Sequence, residues 1–166
     1  SDTTFSDFSV GSIDAASNRK VMQGSADLKA LHQKAIELAP QLTAALYRIA
    51  DGIEGAHVHP SRVKEFGQLE EKTVARPAQT IPDVLGGRLS LDTPQALNQV
   101  IERLRRTGRV IDSDDFLDPG KNGYRAIHLQ LDLGNRLERI ARRPAVVLTP
   151  FDALGLHGLH HPERMR

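Results

Sequence analysis

Gly123-Tyr124-Arg125-Ala126-Ile127-His128-Leu129-Gln130 follows directly on Pro119-Gly120-Lys121-Asn122. The first stretch mixes aromatic, β-branched and aliphatic residues, and the second is turn chemistry, so together they read as a strand entered through a tight loop. Side chains alternate across a strand. Tyr124, Ala126, His128 and Gln130 therefore share one face, while Arg125, Ile127 and Leu129 share the other. A face carrying phenol, imidazole and amide in line suits a flat ligand with polar edges, such as a nucleobase. A half-buried strand with a polar outer face gives the same pattern, so the neighbouring sequence has to decide.

Upstream, Arg62-Val63-Lys64 stands just ahead of a helical pattern over 65–75 that carries Gln68 and Lys72. In a helix those two are i, i+4 neighbours on the face nearest Lys64. Glu65, Glu70 and Glu71 alternate with the cations, so a solvated charged helix is the competing reading. Ile81-Pro82-Asp83-Val84-Leu85-Gly86-Gly87-Arg88-Leu89 then places a carboxylate and a guanidinium at opposite ends of an apolar run that reads as a buried strand over 84–91.

Taken in order, Arg62-x-Lys64…Lys72, Asp83-x-x-Gly86-x-Arg88 and Asp114…Pro119…Asn122-Gly123-Tyr124-Arg125-x-Ile127-His128 resemble the RelA/SpoT-type alarmone synthetase family, small stand-alone or toxin-like members included. The likeness spans residues 62–131, under half of the chain. It implies a nucleotidyltransferase-like synthetase fold and an ATP:nucleotide 3′-pyrophosphokinase, which moves a pyrophosphoryl group from ATP to the 3′-hydroxyl of a purine nucleotide. By the same resemblance, Arg62, Lys64, Lys72 and Arg88 bind ATP, and Asp83 binds Mg²⁺ and serves catalysis. Lys121, Asn122, Tyr124 and His128 hold the acceptor, with Tyr124 stacking on its base. Asp114, ten residues before Tyr124, stands where the family has a loop Asp, and Asp115 is its neighbour.

The chain departs from the family in three places. Gln68 stands where a Ser is usual, and Lys121 follows the proline one place late. The family's catalytic Glu-x-Gln, expected on the strand after the tyrosine strand, is missing. Glu138 is the one carboxylate between Asp132 and Asp152 and is the remaining candidate for its role. Its arginine neighbours would depress its pKa and make it a poorer base. Two readings thus stay open beside the active enzyme. One is a catalytically impaired nucleotide-binding module. The other is pyrophosphorylation of a tRNA 3′ CCA end, motivated by Arg103, Arg105, Arg106 and Arg109. Partners implied by the resemblance are ATP, a purine nucleotide and an antitoxin or immunity protein.

The rest of the chain frames these motifs. At 166 residues, with 39% hydrophobic and 26% charged residues, it suits one α+β domain with a real core. A net charge of +1 gives no bulk case for nucleic-acid binding, and without cysteine there are no disulfides or thiolate metal sites. A cytoplasmic protein without a membrane segment is the natural expectation. Residues 1–18 read as a flexible segment and 19–166 as a single synthetase domain. Within it, 19–55 form a helical extension, 56–150 the core, and 135–166 a divergent, arginine-rich tail. Ser25 is expected to cap a first helix with Leu28, Leu31, Ala35 and Leu38 on its apolar face. Pro40 is expected to open a second, with Leu42, Ala45, Leu46 and Ile49. Residues 51–60 read as a loop. Thr93 and Pro94 start a third helix that buries Leu97, Val100, Ile101 and Leu104 and turns Arg103, Arg105 and Arg106 outward. Short strands follow at 110–111 and 145–148, so the sheet is mixed and flanked by helices.

Overall fold

Leu31, Ala35, Leu38, Leu42, Leu46 and Ala50 recur at three- and four-residue spacing and form the buried stripe of one helix, α1 (Leu28–Ala50). The expected break at Pro40 does not occur. Leu38 and Leu42 are four residues apart, so the apolar stripe runs past the proline, which lies on the exposed side of the helix. There the carbonyl that loses its amide partner can be hydrated, and packing of the stripe outweighs the local cost of proline. The cap is Asp27, whose carboxylate accepts from the Lys29 and Ala30 amides at 3.0 and 3.2 Å. The computed structural model describes residues 22–23, 27–75, 81–107, 109–116, 126–134 and 136–150, and Ser25 lies outside them.

The remaining elements are β1 (Ala56–Val63), α2 (Phe66–Ala75), β2 (Leu85–Leu91), α3 (Pro94–Thr107), β3 (Val110–Phe116), β4 (Ala126–Leu131), α4 (Arg139–Arg142) and β5 (Ala145–Pro150). β1 takes the second half of the loop expected at 51–60, while 51–55 remain turn. Its His-Val-His-Pro run lacks an apolar signature because it is an edge strand, where a proline costs no ladder bond. α3 begins as expected, with the Thr93 hydroxyl accepting from the Ala96 amide at 3.0 Å. Leu97, Val100, Ile101 and Leu104 are buried as expected, each contributing about 1.5–3 kcal/mol.

The five strands form one sheet in the order β1-β2-β5-β4-β3; β2 and β5 are parallel and every other pair is antiparallel. The architecture is α+β with a mixed sheet, as the strand and helix signals imply. Leu85, Leu89 and Leu91 of β2, Ile127, Leu129 and Leu131 of β4, and Val146 and Leu148 of β5 join the stripes of α1 and α3 in one core. Gly87 lets α1 come close, since a Cβ there would run into Leu46 and touch Leu42.

The other face of the sheet is polar, and two bulges set what it carries. Between His59 and Arg62 the register shifts by one residue against β2, so Arg62 joins His59 on this face. A second shift between Val110 and Asp112 turns Asp112 toward it, while Val110 remains in the core.

Candidate active site

Lys64, Lys72 and Asp83 meet beside the start of β2. Lys64 leaves β1 with its amide bonded to the Val84 carbonyl at 2.9 Å, Lys72 lies in the last turn of α2, and Asp83 sits two residues before β2. The Lys64 ammonium is 3.2 Å from one Asp83 oxygen and the Lys72 ammonium 3.3 Å from the other. The Lys64 side chain is 11% exposed and that of Asp83 35%. Burial by itself would raise the Asp83 pKa. Lys64 first, and Lys72 second, overcome that and hold the carboxyl below its ordinary range. Burial lowers the pKa of Lys64, and the attraction of Asp83 offsets only part of this, with Lys72 adding to the depression. Gln68 turns to the start of its own helix. Its carbonyl accepts from the Glu65 amide at 3.2 Å and so steadies the start of α2.

The cluster opens onto a cleft of about 360 Å³ over the polar face of the sheet. That is the lower end of the range for small-molecule sites, roughly 300–1,000 Å³. Arg62, Asp83, Arg88, His128 and Gln130 line it, joined by His59 and Asp112. The alternation read from the sequence holds on β4: Ile127 and Leu129 are in the core, and His128 and Gln130 face the cleft.

Five of the expected site residues, Arg62, Lys64, Asp83, Arg88 and His128, thus lie at or beside one cleft, with Lys72 bonded to Asp83. Glu138 is not brought there. It precedes α4, its side chain is 59% exposed, and its nearest cation is Lys34 of α1 at 3.8 Å. On β5 the cleft-side positions, aligned with Gly86, Arg88 and Ser90 of β2, are Ala145, Val147 and Thr149. The described part of the strand after β4 therefore offers no carboxylate. Lys121, Asn122 and Tyr124 lie outside the described residues. Asp114 lies on β3 opposite His128 rather than in a loop. His59, Asp112 and the buried Gln23 were not foreseen. A bulge is what re-aims Asp112, and neither pattern nor propensity announces it.

No family model and no curated protein matches the sequence. Solved structures do match. Small alarmone synthetase 1 from Bacillus subtilis aligns with a TM-score of 0.55 at 20% identity, over 74% of this chain and 69% of that one. The same synthetase bound to its product pppGpp gives 0.51 at 22% identity, over 81% and 78%. A protein from Streptococcus mutans UA159 gives 0.54 at 20% identity, over 79% and 75%. The chain has the RelA/SpoT-type small alarmone synthetase fold. Within that fold the cation–carboxylate cluster and the imidazole–amide strand stand around one cleft.

Three further features bear on what this synthetase fold can hold. Among the described residues no three acidic or imidazole groups gather into a metal cage. Asp83 alone is a fitting donor for Mg²⁺ arriving with a nucleotide, because that ion takes few carboxylates and fills its shell with phosphate oxygens and water. Of the arginines on and after α3, Arg105, Arg106 and Arg109 are exposed, as expected, while Arg103 is half-buried. Arg103 donates to the Ile49 and Asp51 carbonyls at 2.7 Å each, Arg105 pairs with Glu102, and Arg109 donates to the Asp132 carbonyl at 3.1 Å. Finally, no described helix is long and apolar enough to cross a membrane.

Proposed function

We propose that the chain is a nucleotide pyrophosphokinase, transferring a pyrophosphoryl group from ATP to the 3′-hydroxyl of a purine nucleotide to give a (p)ppGpp- or (p)ppApp-type product. The observation that carries this reading is the convergence of Lys64, Lys72 and Asp83 at the mouth of a cleft that also holds Arg62, Arg88 and His128. Phosphoryl-type transfer needs charge neutralisation and alignment more than covalent chemistry from the protein.

In this reading Arg62, Lys64, Lys72 and Arg88 hold the triphosphate, the two lysines exchanging Asp83 oxygens for phosphate oxygens. Asp83, released from them, is the protein's ligand to Mg²⁺. The bound ion supplies charge neutralisation on the phosphates. His128, with Lys121, Asn122 and Tyr124, grips the acceptor, and the stacking of one base on a tyrosine is worth about 1–3 kcal/mol. The acceptor oxygen bonds to the β-phosphorus, the bond from that phosphorus to the α,β-bridging oxygen breaks, and AMP departs. The hydroxyl proton passes to a base that we do not assign to Glu138, which pairs with Lys34.

A second reading, a nucleotide-binding module without turnover, is favoured by one observation: Ala145, Val147 and Thr149 occupy the cleft side of β5. Incubation with ATP labelled at the γ-phosphate and GTP, GDP, ADP or AMP separates the two. Label on any acceptor supports the kinase. Calorimetric binding without transfer supports the module, and absence of both binding and transfer removes the proposal. The resemblance also admits a toxin or effector kept in check by an antitoxin or immunity protein. Transfer to deacylated tRNA is the weaker alternative: of the four arginines that motivated it, Arg103 is tied to the end of α1, and a net charge of +1 gives no bulk attraction to nucleic acid.

A further inference from the structure

Gln23 belongs to none of the motifs above, yet its side chain is fully buried and bonded to Pro82, which lines the cleft. Its Nε2 donates to the Pro82 carbonyl at 2.6 Å and the Arg143 carbonyl at 3.0 Å, with a longer contact to the Leu85 carbonyl at 3.4 Å. Its Oε1 accepts from the Leu85 amide at 3.1 Å, and its own amide donates to the Ile81 carbonyl at 2.9 Å. β2 and β5 are paired from Gly86 and Ala145 onward, and Pro144 has no amide with which to continue the ladder. The Gln23 carboxamide, donor on one side and acceptor on the other, adds the missing rung. Gln130 supports it, reaching the same Arg143 and Pro82 carbonyls at 3.3 and 3.5 Å.

Asp83 is the residue in the middle of this arrangement. From the other side the Lys64 amide holds the Val84 carbonyl. The carbonyls of Ile81, Pro82, Val84 and Leu85 are therefore all engaged, and the one side chain between them aims its two oxygens at two ammonium groups 3.2 and 3.3 Å away. A tilt of this short segment by about an ångström would part the carboxylate from at least one of them, and misplacements of that size cost up to about a hundredfold where charged groups must align.

We propose that Gln23 is a positioning residue for the Asp83 carboxylate, tying the chain ahead of α1 to the nucleotide site. Its geometry is independent of the functional reading, and its effect on ATP rests on that reading. In Gln23→Met the side chain keeps its length and loses its hydrogen bonds. The carbon-13 signal of the Asp83 carboxyl should then titrate nearer the ordinary carboxylate range than in the parent protein, and affinity for MgATP should fall about tenfold. Leu38→Ala in the α1 core serves as the control for lost stability alone, and it should leave the Asp83 titration unmoved. An unchanged Asp83 titration in Gln23→Met, or the same displacement in Leu38→Ala, overturns the proposal. Should Gln23→Met not fold, hydrogen exchange in the parent protein decides. The Gln23 carboxamide and Leu85 amide protons should exchange as slowly as those of central β2, and fast exchange of either overturns it. A parent protein that binds no MgATP refutes the functional reading, while the Asp83 titration still judges the clamp.

Discussion

Asp83→Asn tests the cation–carboxylate cluster most directly, because both cations are near and one is nearly buried. The ammonium groups stand 3.2 and 3.3 Å from the carboxylate. Unit charges at that separation attract by about 5 kcal/mol at an effective dielectric of about 20 and by about 1 kcal/mol in water. Breaking a fully buried pair costs about 3–5 kcal/mol and an exposed one less than about 1. With Asp83 at 35% exposure and Lys64 at 11%, screening places this pair between those limits, at about 1.5–2.5 kcal/mol near neutral pH.

The pH dependence carries the stronger test. The Asp83 pKa is depressed in the fold, so its contribution is complete above the ordinary carboxylate pKa and is lost as pH falls through the folded value. The Lys64 pKa is also depressed, so the unfolded chain holds the extra proton at high pH and stability rises there as the lysine discharges. Without Asp83 that discharge should begin at lower pH. The gap between parent and variant should therefore peak near neutrality and shrink on both sides. Urea unfolding followed by circular dichroism from about pH 3 to pH 10 measures it. A gap that stays constant across the range, or a variant more stable than the parent at neutral pH, refutes the reasoning. The same variant should lose Mg²⁺-dependent transfer, and an unaffected rate would place the ion elsewhere.

Arg103→Ala removes two charge-assisted bonds to the end of α1 and should cost about 1.5–3 kcal/mol, read as a lower melting temperature; a change below about 0.5 would show that water replaces it. Gly87→Ala forces a methyl against Leu46 and should destabilise by about 1–3 kcal/mol, with part of the loss recovered by adding Leu46→Val. Glu138→Gln should leave transfer within about twofold of the parent and stability within about 0.5 kcal/mol, its partner being a surface lysine. A tenfold drop in rate would return Glu138 to the chemistry. Tyr124→Ala should weaken acceptor binding by roughly five- to a hundredfold in calorimetry and spare ATP; equal losses for both nucleotides would contradict its assignment.

Much of the fold could be read from local pattern because its strongest elements are amphipathic. The α3 stripe, the Thr93 cap and the alternation of Ile127, His128, Leu129 and Gln130 each follow from residues within a turn or two of one another. β1 was missed because an edge strand needs neither a continuous apolar run nor a full ladder, so its sequence resembles a loop. Pro40 misled for the opposite reason: proline acts locally, whereas the stripe from Leu31 to Ala50 is stabilised by packing along the whole helix. The four arginines on and after α3 read as a surface patch, and Arg105, Arg106 and Arg109 are exposed; Arg103 departs because nothing in their spacing reveals that α1 would end beside it.

Short-range order along the chain was enough to announce the apolar stripes of α1 and α3, the central strands and the family-like motifs on which the proposed ligand class rests. Which of those residues meet was decided only in three dimensions. Two bulges turned Arg62 and Asp112 to the cleft, the packing of α4 beside α1 took Glu138 away from it, and a glutamine from ahead of the first helix came to rest under Asp83. Pattern reports the periodicity of one segment at a time, while a site depends on register between segments, and a shift of one residue in register exchanges one face of a strand for the other.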